Sequence, residues 1–167
     1  DYSPATIEVK SAEEAKLAAD RVDSKNVVIK PVDGKEGKGV KVLKNKQVQD
    51  LEVDIQKPYI VQEFLDTSKG IKGVVNDIHD LRVLIMNGNI VQVYVRTPKA
   101  GKMIANVSKG GSLKELDVNQ LPKDILAIVK KVDDKLKIYY PRIYSIDLGY
   151  TPDGPKIFEL NSQPGLP

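Results

Sequence analysis

Tyr144-Ser145-Ile146-Asp147-Leu148-Gly149, followed beyond Thr151-Pro152-Asp153-Gly154 by Ile157-Phe158-Glu159-Leu160-Asn161, decides how this chain is read. Apolar Tyr144, Ile146 and Leu148 alternate with Ser145, Asp147 and Gly149. Phe158 and Leu160 alternate with Glu159 and Asn161. Side chains along a strand point to opposite faces with period two, so Ile143 to Tyr150 and Lys156 to Asn161 read as the two strands of a hairpin about Thr151-Pro152-Asp153-Gly154. Folding the chain about Asp153 brings Asp147 opposite Glu159, with Asn161 two residues further along the same face. Two carboxylates and an amide oxygen form a hard-oxygen set of the kind magnesium takes, with water or phosphate in its other positions. Adjacent carboxylates also repel unless a cation lies between them. The same spacing describes a solvated polar face whose acids pair with lysines, and spacing alone leaves both readings open.

Upstream, Asp80 to Met86 and Ile90 to Thr97 read as a second hairpin about Asn87-Gly88-Asn89. Leu81, Val83 and Ile85 share a face with Val91, Val93 and Val95 only if the turn holds an odd number of residues. Asp80, Arg82 and Arg96 then lie together on the other face. Two arginines side by side suit phosphate oxygens; the plainer alternative is a surface Asp80–Arg96 pair of little energetic worth. Further upstream, Asn26 to Lys30 reads as a strand that stops at Pro31. Lys30 closes that apolar strand, and Gly34-Lys35-Glu36-Gly37-Lys38-Gly39 follows, before a returning strand from Val40 to Leu43. Glycines let a backbone approach a polyphosphate closely. The spacing is neither the P-loop pattern nor the dinucleotide fingerprint. Joining two strands, the loop reads as a flap over phosphates or as a plain flexible hairpin.

The remaining segments complete a mixed α+β order of mostly hairpin-linked, antiparallel strands. Thr6 to Val9 is a short strand. Ser11-Ala12-Glu13-Glu14 is a capping box that opens a helix to about Val22. Tyr59 to Leu65 is a strand of β-formers. Thr67 to Asn76 is loop-like, Ser108 to Ser112 is a second glycine loop, and Leu121 to Lys137 is an amphipathic helix with Pro122 in its first turn.

The 167 residues suit one domain, 41% hydrophobic and 29% charged, with a net charge of +3 of mixed sign along the chain. The interspersed acids make the lysines a solvated face rather than a nucleic-acid patch. No apolar run approaches the ~20 residues of a membrane span. The absence of cysteine excludes disulfides and thiolate metal sites and fits a cytoplasmic setting. The chain opens at Asp1 without a signal peptide or initiator methionine, so it reads as a piece of something longer.

The pieces VVIKPVDGKEGKGV, YIVQEFL, DLRVLIMNGNIVQVYVRTP, IANVSKGG, YSIDLG and IFELNSQPGL, in this order, resemble the ATP-grasp superfamily from Ser3 to Gly165. Within it they are similar to the ribosomal-protein glutamate ligases and glutathione synthetases. The resemblance implies an α+β ATP-grasp fold with an ATP cleft between two subdomains. Residues 1–65 would carry the lysine strand, glycine flap and hinge, and residues 66–167 the metal and phosphate-binding part. It implies that Lys30 holds the α- and β-phosphates, and that Gly34, Gly37 and Gly39 form the flap. Gln62, Glu63, Phe64 and Leu65 would meet adenine, largely through backbone groups, with Asp80 beside the nucleoside. Arg82 and Arg96 would stabilise the transferring phosphate and the acyl phosphate. Asn106 would touch the phosphates, and Asp147, Glu159 and Asn161 would hold two magnesium ions between the β- and γ-phosphates, or manganese in their place.

The implied activity is ATP-dependent ligation of a small-molecule or peptide carboxylate to an amine through an acyl phosphate. The alternatives are a non-catalytic ATP-binding or regulatory module and a phosphotransferase. The family ordinarily has a further ATP-binding lysine and a substrate-binding domain upstream; both are absent from this sequence. Thr67 to His79 is longer than the family's usual span between hinge and acid. The single histidine, His79, is a candidate base beside Asp80, although a lone loop histidine is more often solvated.

Overall fold

A computed structural model describes residues 2–34, 38–50, 57–105 and 110–165. The chain divides into two compact units, Pro4–Leu65 and Asp66–Pro167, the latter including Asp1–Ser3.

In the first unit, β1 (Thr6–Val9), α1 (Ala12–Val22), β2 (Asn26–Pro31), β3 (Lys41–Lys44) and β4 (Tyr59–Glu63) follow one another. The strands form an antiparallel sheet in the order β1-β4-β2-β3. Ala15, Ala18 and Ala19 are buried on α1, and these small side chains let the helix lie close to Val9, Val27, Ile29 and Val61. The helix starts where Ser11 Oγ accepts the Glu14 amide at 3.1 Å. The expected box is half-formed: Glu14 Oε2 accepts the amide of Lys10 at 2.7 Å, one residue before the cap. Pro31 is the last residue of β2, opposite Tyr59, a strand end where a missing N–H is tolerated. A 3-10 turn over Asn45–Asp50, which the sequence did not announce, buries Val48. Asn45 there donates to the carbonyls of Ala19 and Ser24 at 2.8 and 3.1 Å and so caps the end of α1.

In the second unit, β5 (Asp80–Met86), β6 (Asn89–Thr97), β7 (Ser112–Glu115), α2 (Lys123–Leu136), β8 (Ile143–Thr151) and β9 (Gly154–Asn161) follow. The sheet order is β7-β6-β5-β8-β9, antiparallel throughout. Leu81, Val83, Ile85, Val93, Val95, Ile146 and Leu148 pack with Ile125 and Val129 of α2 in one core. Pro122 stands just before α2 as its cap, not in its first turn. Among the described residues no helix is long and apolar enough to cross a membrane.

The β5–β6 turn differs from the expected three-residue turn. Met86 pairs with Asn89, leaving Asn87 and Gly88 as a two-residue turn with φ of 49° and 89°. Positive φ at both positions matches the hairpin twist and the Asn-Gly dipeptide. Parity is restored by a bulge: Leu84 pairs with Gln92 and Ile85 with Ile90, so Val91 is the extra residue and is exposed. The acidic hairpin uses the same device, with Phe158 as the extra residue between the pairs Leu148–Ile157 and Asp147–Glu159.

Candidate functional site

The pairings place Glu115, Tyr94, Arg82, Asp147 and Glu159 in one row across all five strands of the second sheet. Asp80 lies opposite Arg96 in the row on one side, and Ser145 opposite Asn161 in the row on the other. This face lies opposite the core face formed by Leu81, Val83, Ile146 and Leu148.

Charge on it is tightly paired. Arg82 Nε and Nη2 donate to Asp147 Oδ1 and Oδ2, each at 2.6 Å. Arg96 Nη2 donates to Asp147 Oδ2 at 2.8 Å and also to Asp80 Oδ2. The Asp147 side chain is 4% exposed and that of Arg82 13%. Burial opposes the charge on both guanidiniums. For Arg82 the hydrogen bonds and charge of Asp147 outweigh it and raise its pKa; for Arg96 the charges of Asp80 and Asp147 do the same. Burial pushes the Asp80 carboxyl up to about 7, helped by the charge of Asp147 and opposed by Arg96 and Arg82. The surface Asp80–Arg96 pair weighed from sequence is therefore one edge of a buried network.

Two buried atoms of that network, Asp80 Oδ1 and Arg96 Nε, have no hydrogen-bond partner among the described residues. An unmade buried hydrogen bond costs about 1–3 kcal/mol, so an unused acceptor and an unused donor side by side suit a polar ligand. A carboxylate offers about four lone-pair sites, and three N–H groups use those of Asp147 unevenly: two on Oδ2, one on Oδ1. One Oδ1 site remains for a cation. Asn161 Nδ2 donates to Glu159 Oε1 at 2.8 Å, which leaves its own amide oxygen outside that bond. Among the described residues no three Asp, Glu, His or Cys side chains cluster to cage a metal alone. Two carboxylates and an amide oxygen fit a magnesium ion that shares its shell with phosphate.

Apart from Asn106, the other expected residues lie in the first unit. Lys30 is half-buried on β2, opposite Ile60 of β4. Gly34 and Gly39 both press on the Pro31 ring. A Cβ on Gly34 would stand 2.7 Å from Pro31 Cγ, and Gly39 has φ +77° with its Cβ position 3.1 Å from the same ring. Gln62 is buried, its amide donating to Thr6 Oγ1 at 2.8 Å. The backbone N–H groups of Glu63 and Phe64 are already engaged by the carbonyls of Ala5 and Asn26 at 2.8 and 3.3 Å, and Leu65 is buried. Gly37, Asn106 and part of the second glycine loop lie outside the described residues.

His79 is neither solvated nor a base. It is 1% exposed, and both ring nitrogens are used: Nδ1 donates to the Asp77 carbonyl at 2.9 Å and Nε2 accepts the Tyr150 amide at 3.0 Å. Burial lowers its pKa, so the ring is neutral. Tyr94, buried between Glu115 and Arg82, was also not singled out from sequence. Only the register across β5, β6 and β7 exposes its place in the row.

The family profile described as "RimK-like ATP-grasp domain" matches residues 3–167. A curated relative from Shewanella pealeana, named "Probable alpha-L-glutamate ligase", is 27% identical over 151 residues, 88% of this chain and 30% of that protein. The chain thus spans under a third of that relative's length. Two solved structures share the fold. The ATP-grasp ligase PsnB, complexed with minimal precursor, Mg and ADP, matches with TM-score 0.63 and 16% identity, over 98% of this chain and 46% of that one. The D-alanine–D-alanine ligase of Bacillus anthracis, complexed with ATP, matches with TM-score 0.62 and 17% identity, over 98% and 50%.

Proposed function

The chain belongs to the RimK-like ATP-grasp family, and we propose that it is the ATP-binding domain of a carboxylate–amine ligase. The observation that carries this reading is the Asp80–Arg96–Asp147–Arg82 network beside Glu159 and Asn161 on one sheet face. Positive charge is held there in fixed geometry, and preorganised charge of this kind stabilises a transferring phosphoryl group. The ligase name of the relative and the bound nucleotides of PsnB and the D-alanine–D-alanine ligase support the same reading.

The reaction has two steps. A carboxylate oxygen attacks the γ-phosphorus of ATP, the bond to the β-phosphate oxygen breaks, and an acyl phosphate and ADP form. An amine then attacks the acyl carbon, phosphate leaves, and the amine gives up a proton as the amide forms. Arg82 and Arg96 neutralise the oxygens of the phosphoryl group in flight. Lys30 binds the α- and β-phosphates, and the backbone around Gly34, Gly37 and Gly39 covers them. Gln62 to Leu65 meet adenine. The Glu63 and Phe64 N–H groups are engaged by Ala5 and Asn26, so the adenine contacts come from the other groups of this segment. The Asp80 acceptor takes a nucleoside hydroxyl, and Asn106 contacts phosphate. Asp147, Glu159 and Asn161 would hold magnesium, for which manganese would substitute; the ion would supply neutralisation of the phosphate charge. No covalent protein nucleophile is needed. The acid is a small molecule or a peptide, and a cytoplasmic setting supplies the ATP.

Calorimetric titration with ATP, with and without magnesium, tests the site. Magnesium-dependent binding is the expected result, and equal binding with and without the ion removes the metal assignment. An amide product, rather than a phosphorylated one, separates ligase from phosphotransferase on the full-length protein.

A further inference from the structure

Thr67 to His79 is a closed loop. Its ends meet in reciprocal hydrogen bonds: Thr67 Oγ1 donates to the His79 carbonyl and accepts the His79 amide, both at 3.0 Å. Between them Ile71 and Val75 exchange backbone bonds at 2.7 and 3.0 Å, and Ile71 is buried in the core of the second unit. Thr67 and His79 are each 1% exposed. Ends tied together and a side chain anchored below define a compact surface loop rather than a tether.

The histidine ring does something further. The last β5–β8 pair is Leu81–Leu148; the register extended by two residues on each strand puts His79 opposite Tyr150. With its carbonyl and amide taken by Thr67, His79 meets the Tyr150 amide through Nε2 instead. The imidazole therefore stands in for a ladder carbonyl at the end of the β5–β8 pair. Asp80 and Gly149 lie between this bond and the Leu81–Leu148 pair, and Asp147 follows next along β8. Asp77 orients the ring through Nδ1.

We propose that His79 is a positioning residue, clamped by Thr67, that fixes the start of β5 against β8 and so holds Asp80 in reach of Arg96 and Asp147. Its consequence for nucleotide binding rests on the function proposed above. Its consequence for the arginine network does not.

The test compares His79→Leu, His79→Gln and Thr67→Val in the full-length protein. Two quantities are read: the Nε–H resonances of Arg82 and Arg96 by NMR, and affinity for magnesium AMPPNP by calorimetry. His79→Leu and Thr67→Val are expected to shift both arginine resonances and to weaken nucleotide binding about fivefold to tenfold, the scale of one lost hydrogen bond. His79→Gln, whose side-chain oxygen can accept the Tyr150 amide, is expected to restore both. Unmoved arginine resonances in His79→Leu and Thr67→Val, with only a lower melting temperature, overturn the proposal. Thr67→Val keeps the test decisive if His79→Leu does not fold. If the unmodified protein binds no magnesium AMPPNP, the nucleotide reading fails, and the arginine resonances still decide whether His79 positions the network.

Discussion

Arg82 and Asp147 lie 65 residues apart in the chain and meet on neighbouring strands in a two-pronged ion pair, Nε to Oδ1 and Nη2 to Oδ2. Arg96 donates to the same carboxylate. Asp147 is thus the counter-ion of two largely buried guanidiniums as well as a candidate magnesium ligand, whereas Glu159 is exposed and bonded to Asn161. The two acids should therefore part company when removed. Asp147→Ala leaves buried charge uncompensated and is expected to cost about 3–5 kcal/mol. Glu159→Ala is expected to stay within about 0.5 kcal/mol of the parent. Both should lose magnesium-dependent nucleotide binding. Urea melts set beside calorimetry check this; equal stability loss in the two variants contradicts the network's role in the fold.

Asp80 gives a pH signature. Its carboxyl is raised from 3.8 to about 7, by burial first and then by the charge of Asp147. Between those values the folded chain holds a proton that the unfolded chain has released. Ionising Asp80 therefore disfavours the fold, and its contribution to stability falls as pH rises through that window, reaching its lowest level above pH 7. Asp80→Asn should remove this slope. Thermal melts from about pH 4 to about pH 8 should show the parent losing ground to the variant as pH rises. Parallel curves argue that Asp80 is ionised throughout.

The two hairpins show which information was legible in the sequence. Alternation correctly placed Asp80, Arg82 and Arg96 on one face and paired Asp147 with Glu159. It did not reveal how parity was kept. A three-residue turn and a two-residue turn with one bulge put the side chains from Gln92 onward on the same faces. They differ at two residues: Val91, expected on the core face, is the exposed bulge residue, and half-buried Ile90 takes its place opposite Ile85. The Asn87-Gly88 dipeptide was the local signal for the shorter turn. β7 was illegible because all four of its residues are exposed, so it has no apolar alternation to read. The His79 clasp was illegible because it depends on an amide 71 residues away, and a local window sees only a polar residue in a loop. Gly34 and Gly39 stood out for their composition, while the Pro31 ring they accommodate is a tertiary fact.

That packing separates the two glycines. Gly34→Ala brings its Cβ to 2.7 Å from Pro31 Cγ and 3.2 Å from the Lys38 carbonyl, so the loop must move. Gly39→Ala meets the ring at 3.1 Å and also forces φ +77°, a left-handed conformation costing roughly 1–2 kcal/mol for alanine and less for asparagine. Gly39→Asn should therefore retain more stability than Gly39→Ala, whereas Gly34→Asn should do no better than Gly34→Ala. Melting temperatures of the four variants decide it. The reverse order at position 39 assigns the strain there to crowding by Pro31 and not to the backbone.

Gly149 makes the sharpest demand. It follows Asp147 by two residues on β8, and its φ is not in the left-handed region, so conformational freedom is not why glycine stands there. The reason is space. A Cβ would lie 2.4 Å from the Thr67 methyl and 2.6 Å from Phe158 Cζ. Thr67 cannot yield without breaking its two bonds to His79, and Phe158 is the bulge residue that puts Glu159 opposite Asp147. One added methyl therefore strains both the clasp and the acidic pair. Gly149→Ala is expected to cost about 1–3 kcal/mol, the scale of overpacking a tight interior, and to weaken magnesium-dependent nucleotide binding as well. Trimming the obstacle distinguishes the two contacts. Thr67→Ser in the Gly149→Ala background removes the methyl and keeps the hydroxyl, so stability should return in part; Phe158→Leu should relieve the second clash. If only the Phe158 change restores binding, the bulge controls the acidic pair. If only the Thr67 change does, the clasp does.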